Sequence, residues 1–267
     1  LISIVMVAVL GGLLFGYDTA VISGAEKGVQ AFFKSATDFE YTDFMHGFTS
    51  SSALIGCIIG SALSGLFASK FGRKRSLIFA GICFFLSAWG SMDPETYIMT
   101  QGNATWSLLV VFNFYRILGG IGVGMASAIC PMYIGEVAPS NIRGMLVSWN
   151  QFAIIFGQLV VYFVNFIILG SHANPLYDAV GNIANWADCQ WTVETGWRYM
   201  FGSECVPAGL FTILICFVPE TPRYLVMIGQ DDKARHILTR INGSQTANDI
   251  INDIKNTITV KTEKLFS

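Results

Sequence analysis

Three ionisable side chains, Asp18, Arg116 and Glu204, sit inside runs of sequence that are otherwise apolar. Around Asp18 the run reads GGLLFGYDTAVISG, from Gly11 to Gly24, and Leu1 to Tyr17 carries no charged side chain. A charge placed at mid-bilayer costs at least about 2.5 to 3.5 kcal/mol on the insertion scale, so it needs a cavity or a partner. A carboxylate beside a guanidinium meets that need. It also offers a reversible proton site, because burial and the neighbouring cation act on the carboxylate in opposite senses. The plainer reading is an ion cluster that ties three helices together.

A second candidate chemistry is hydrogen bonding to hydroxyls. Gln151, Gln158 and Asn165 recur every seven residues and so share one face of a helix. Amides both donate and accept, which suits a neutral, hydroxyl-rich ligand. They serve equally well as bonds between helices, at about 0.6 kcal/mol each in membranes.

Other chemistries find no support. ILGGIGVGMAS follows Arg116 within an apolar run, whereas a dinucleotide loop needs a strand before it and a βαβ unit around it. His46, His172 and His236 are scattered, and no metal-ligand cluster or nucleophile and base pairing stands out. No enzyme, cofactor, metal site or nucleic-acid partner is expected. Of the cysteines, only Cys189 lies outside an apolar segment, so the rest read as small buried hydrophobes.

The elements that must position these residues are membrane helices. Hydrophobic residues make up 53% of the 267 and charged residues 13%, and mean hydropathy is +0.54. With about 20 apolar residues needed per crossing, six spans are predicted: Ile2 to Ile22, Met45 to Ser69, Leu77 to Met92, Ser107 to Met132, Met145 to Leu169 and Arg198 to Val218. Asp18 then lies just short of the outer end of the first span, with Arg116 and Glu204 two or three turns into theirs. The fold class is an all-α membrane protein. Small residues four apart (Gly12 and Gly16, Gly56 and Gly60, Ser61 and Gly65, Gly120 and Gly124) are expected to seat helix against helix.

Basic residues collect on one side of these spans: Lys70, Arg73, Lys74, Arg75 and Arg143 between spans, then Arg223, Lys233, Arg235, Arg240, Lys255, Lys261 and Lys264. The opposite side holds Lys27 and Lys34 among many acids. By the positive-inside rule, both ends of the chain are expected in the cytoplasm, and the first span reads as a membrane helix rather than a cleavable signal. The outer loops are Ser23 to Phe44, Asp93 to Trp106, with a sequon at Asn103, and Gly170 to Trp197. Two domains are expected: residues 1–222 as the six-helix transmembrane unit and 223–267 as a cytoplasmic helical segment. In the latter, DDKARHILTRI and ANDIINDIKNTI read as amphipathic helices.

The motifs GGLLFGYDTAVISG, FGRKRS, YRILGGIGVG, PMYIGEVAPSNIRG, NQFAIIFGQ, GWRYMF and PETPR together resemble the N-terminal half of a sugar porter of the major facilitator superfamily. The resemblance implies a six-transmembrane-helix N-terminal bundle of the major facilitator fold, a multi-pass protein of the cell inner (plasma) membrane. It implies proton-coupled monosaccharide symport by alternating access, with D-xylose as the expected sugar. Asp18, Arg116 and Glu204 then stand as the proton-coupling group, and Gln151, Gln158 and Phe15 as sugar contacts. Arg73, Glu136, Arg143, Glu220 and Arg223 stand as a charge network at the cytoplasmic gate; the basic ones among them also suffice to set topology. Two departures are visible. Ser69 occupies a loop-motif place where an acid is usual, and family members have twelve spans, so a missing C-terminal six-helix half is implied as partner. A facilitative uniporter, with Asp18 structural, would share the same pocket residues. A non-transporting sugar receptor would be expected to carry a long cytoplasmic extension.

Overall fold

The computed structural model describes residues 1–97, 104–172, 191–242 and 247–257, and every regular element among them is helical. The helices are α1 (Ile2–Lys34), α2 (Asp43–Phe71), α3 (Arg73–Met92), α4 (Trp106–Val137), α5 (Arg143–His172), α6 (Trp197–Ser203), α7 (Cys205–Phe217), α8 (Pro222–Met227) and α9 (Asp231–Asn242). A further helical stretch covers 247–257. Six segments are long and apolar enough to cross a membrane; the sixth, Val193–Phe217, joins a π-helical turn at Thr192–Gly196 to α6 and α7. Threonine side chains cap α2, α4 and α8: Thr42, Thr105 and Thr221 each accept a main-chain N–H from three residues on.

The helices overrun the predicted spans. α1 continues from Ile22 to Lys34 through a segment expected to be an outer loop. Ala25, Val29, Phe32 and Phe33 recur there at helical spacing and are buried. Phe32 packs against Trp197 at 5.4 Å between ring centroids, and Phe33 against Phe112 at 6.2 Å. Asp18 is therefore about 24 Å from the end of its helix, not just short of it. In the sixth span the helix breaks at Glu204. Pro207 explains the break, because its ring has no N–H and crowds the carbonyl of residue 203.

Close helix contact depends on glycine at two seams. On α2 a Cβ at Gly56 or Gly60 would strike the main chain of Ile117 or Ile121, and on α4 a Cβ at Gly120 or Gly124 would strike that of Ala53 or Cys57. The glycines thus face one another's backbones, the small-residue packing that replaces the hydrophobic effect in lipid. Gly16 and Gly157 make the same reciprocal arrangement between α1 and α5. The Ser61 and Gly65 pair does not: Gly65 faces open space, because that face of α2 turns away from α4.

The apolar interior falls into two clusters stacked along the bundle. One gathers Leu14 of α1, Phe84 of α3, Val123 and Ile129 of α4, and Phe211 of α7. The other gathers Tyr17 and Phe33 of α1, Phe112 of α4, and Trp197 and Phe201 of α6. Arg116 and Glu204 fall between the two along their helices, and Asp18 lies at the edge of the second, next to Tyr17. A third, small cluster built from Leu225, Val226, Ala234, Leu238, Ala247 and Ile251 joins α8, α9 and the 247–257 helix into a unit of its own. Asn103, most of the third outer loop and residues 258–267 lie outside the described residues.

Candidate functional site

Asp18, Arg116 and Glu204 come together from three helices, with 2%, 2% and 1% of their surfaces exposed. Arg116 Nη1 donates to Asp18 Oδ1 at 2.7 Å. The guanidinium also lies over the Phe201 ring at 4.9 Å, a desolvated cation and π contact. The Glu204 carboxyl lies beside that of Asp18, with Arg116 adjacent to both. Among the described residues, Arg116 Nε and Glu204 Oε1 have no hydrogen-bond partner. Measured along their helices, Arg116 is about 15 Å inward from Trp106 and Glu204 about 16 Å inward from Val193. Both figures are half of a hydrocarbon core of about 30 Å.

One arginine facing two carboxyls sets a simple charge count. With both acids ionised the group carries one net negative charge; a single proton makes it neutral. The arrangement can therefore bind and release one proton without leaving an unbalanced charge in the loaded form. The orphaned Nε and Oε1 add capacity for a hydrogen bond that the resting geometry does not use.

Two groups missed at the sequence level brace this cluster. Tyr17 Oη and Ser203 Oγ are 2.7 Å apart, and Ser203 Oγ donates to the Met200 carbonyl at 2.6 Å. The Tyr17 hydroxyl is then the donor to Ser203, and it joins α1 to α6 one residue from Asp18 and one residue from Glu204. Their signal was adjacency to the two acids. On α3, Ser87 and Ser91 present buried hydroxyls without a partner among the described residues; Gly119 leaves the space between Ser87 and Asp18.

The amide stripe divides. Gln151 is exposed and Gln158 half-buried on α5, on the flank that does not pack against α1, and Phe15 is half-buried on α1. Asn165 is buried in the α1 and α5 seam, where Nδ2 donates to the Val21 carbonyl at 3.4 Å and the side chain meets Gly24. It is a packing residue. The two heptads from Gln151 to Asn165 drift around the helix by about 20° each, and the crossing of α1 over α5 covers the end of the stripe.

At the basic end, Arg73 Nη2 donates to Glu136 Oε1 at 2.8 Å and Nη1 to the Ala68 carbonyl at 3.2 Å. The two partners are 11% and 10% exposed. Glu220 accepts the main-chain N–H groups of Arg73, Lys74 and Thr221 at 2.9 to 3.2 Å. A carboxylate is thus bound at the start of α3, where the free amides and the helix dipole favour an anion. Gly72, at φ +91°, keeps the space that Glu220 enters. Tyr133 Oη donates to the Pro219 carbonyl at 2.6 Å and Tyr224 Oη to that of Lys70 at 3.1 Å. Arg143 is exposed and Arg223 half-buried, and neither makes a side-chain hydrogen bond or ion pair among the described residues. The structure joins Arg73, Glu136 and Glu220 and leaves those two arginines out.

Among the described residues no group of three or more His, Cys, Asp and Glu is placed to hold a metal ion.

The Sugar (and other) transporter family profile matches residues 4–267. The chain is 46% identical over 264 residues to the D-xylose-proton symporter of Escherichia coli strain K12, covering 96% of this chain and 51% of that protein. It is 33% identical over 252 residues to the glucose facilitated diffusion protein of Zymomonas mobilis, covering 94% and 49%. The solved structure of the xylose transporter XylE from E. coli in a partially occluded, inward-open conformation superposes with a TM-score of 0.86 at 45% identity, over 97% of this chain and 59% of that one. The chain spans about half the length of the curated relatives it matches. With a matched family profile, a shared helical fold and six segments long and apolar enough to cross a membrane, the chain belongs to the sugar porter family of the major facilitator superfamily, a family of multi-pass membrane transporters.

Proposed function

We propose that this chain is the N-terminal half of a proton-coupled monosaccharide symporter of the inner (plasma) membrane, with D-xylose as its sugar. Both ends of the half face the cytoplasm, and a C-terminal six-helix half supplies the facing wall of the path. Sugar binds near mid-membrane against α1 and α5, touching Phe15, Gln151 and Gln158. A proton bound by Asp18 or Glu204 loosens the tie to Arg116 and lets the halves rock. Contacts made by Arg73, Glu136 and Glu220 weight the equilibrium between the two access states, and Arg143 and Arg223 join them in one of those states.

The buried Asp18 and Arg116 pair, with Glu204 beside it, carries the reading. The test is uptake of labelled D-xylose by the complete protein and by Asp18→Asn, with and without a protonophore. Wild-type accumulation is expected to collapse with the protonophore, while the variant only equilibrates sugar. Equal uptake by both, insensitive to the gradient, would sink proton coupling. The second reading, a facilitative uniporter with Asp18 structural, would then hold; the 33% identical relative described as a facilitated diffusion protein favours it.

A further inference from the structure

We propose that the crevice between the inner ends of α3 and α7 and the underlying helix α9 binds the phosphate headgroup of an anionic phospholipid. The inference rests on the reading that places this end of the bundle at the cytoplasmic leaflet.

A cavity of about 810 Å³ lies there, with Lys74, Arg75, Lys233 and His236 in its wall, beside Phe71 at the end of α2 and Ile78 on α3. A neighbouring cavity of about 510 Å³ shares Lys74 and His236 and adds Arg240. Arg75, Lys233 and Arg240 form no ion pair among the described residues. Lys74 donates to the Cys216 carbonyl at 2.7 Å, which leaves its charge without a carboxylate. Of the acids in the wall, Glu220 is occupied by main-chain amides, and Asp232 stands in the first turn of α9. Lys74, Arg75 and Lys233 outnumber the two carboxylates in the wall, so the crevice keeps a net positive charge that attracts an anion.

The shape of the crevice indicates which anion. A free phosphate would use the cations alone. Phe71 at the end of α2 and Ile228 after α8, each more than 40% exposed, together with Ile78 of α3 give the same crevice an apolar side. A headgroup among the bases with its acyl chain along that side satisfies both. Basic recesses beside membrane helices on the cytoplasmic side are the kind of site that anionic lipids fill.

The complete protein, purified in detergent micelles doped with phosphatidylglycerol or with phosphatidylcholine, is examined by native mass spectrometry for retained lipid. Phosphatidylglycerol is expected to be retained in preference. Arg75→Gln and Lys233→Gln are each expected to lower that retention about fivefold, from about 1 kcal/mol per cation near a membrane surface. Arg235→Gln, exposed on α9 and outside both cavities, is expected to leave it unchanged. Equal retention of the two lipids, or retention untouched by Arg75→Gln and Lys233→Gln, overturns the proposal. Displacement of the lipid by millimolar inorganic phosphate also overturns it, in favour of a soluble ligand. Labelling of Lys233→Cys by an impermeant maleimide, above the wild-type background, tests the orientation separately. Reaction only from outside the cell would refute the cytoplasmic assignment while leaving the retention result to stand on its own.

Discussion

The polar layer at mid-bundle and the charge cluster at the basic end hold their carboxylates in opposite ways. Glu220 is gripped by main-chain amides at the start of α3, donors that carry no proton equilibrium of their own. Among the described residues, Asp18 has a single charged bond to Arg116, and Glu204 Oε1 has none. Under the proposed mechanism, one site changes when helix ends move and the other when a proton arrives with the helices still in place. A transporter that couples a chemical event to a rigid-body motion needs one of each.

Substitutions can break or sharpen that contrast. Arg116→Ala is expected to have the largest effect, a loss of about 3 to 5 kcal/mol, because it leaves two buried carboxyls without their cation. Thermal unfolding in detergent measures it, and Arg116→Lys should recover only part. Glu220→Gln is expected to cost about 2 kcal/mol, since charge-assisted bonds to the α3 amides become ordinary ones. The loss should appear as faster proteolysis at the α7 to α8 junction, with proton dependence of uptake unchanged. If Glu220→Gln instead shifts the pH profile as Asp18→Asn does, the two sites are not separable. Tyr17→Phe is expected to cost about 1 kcal/mol by removing one buried hydrogen bond between α1 and α6. Arg143→Gln and Arg223→Gln are expected to change stability by less than about 0.5 kcal/mol. An effect on uptake without one on stability would place those arginines in a contact made only in the other access state.

The existence of the six spans was legible because hydropathy is local, and so was the conjunction of Asp18, Arg116 and Glu204, because a charge in an apolar run must find a partner. What hydropathy hid was the outer half of α1: Glu26, Lys27 and Lys34 made it read as loop, although Ala25, Val29, Phe32 and Phe33 already showed a buried helical stripe. The break at Glu204 was legible from Pro207 and was not used. Asn165 could not be told from Gln151 by spacing, since which flank of α5 is covered depends on how α1 crosses it. Membership of the basic-end cluster was likewise hidden for Arg143 and Arg223. Sequence places them near the right loops, but partnership is decided by which helix end supplies free amides, and Glu220 takes those.

The mid-bundle position of the proposed proton site has an electrical consequence. A charge that reaches Asp18 or Glu204 from either face crosses about half of the membrane potential, worth about 1.1 kcal/mol per 100 mV. The membrane voltage then acts on occupancy of the carboxyl as well as on the concentration gradient. Loading the site should register as a brief displacement current before any sugar has moved.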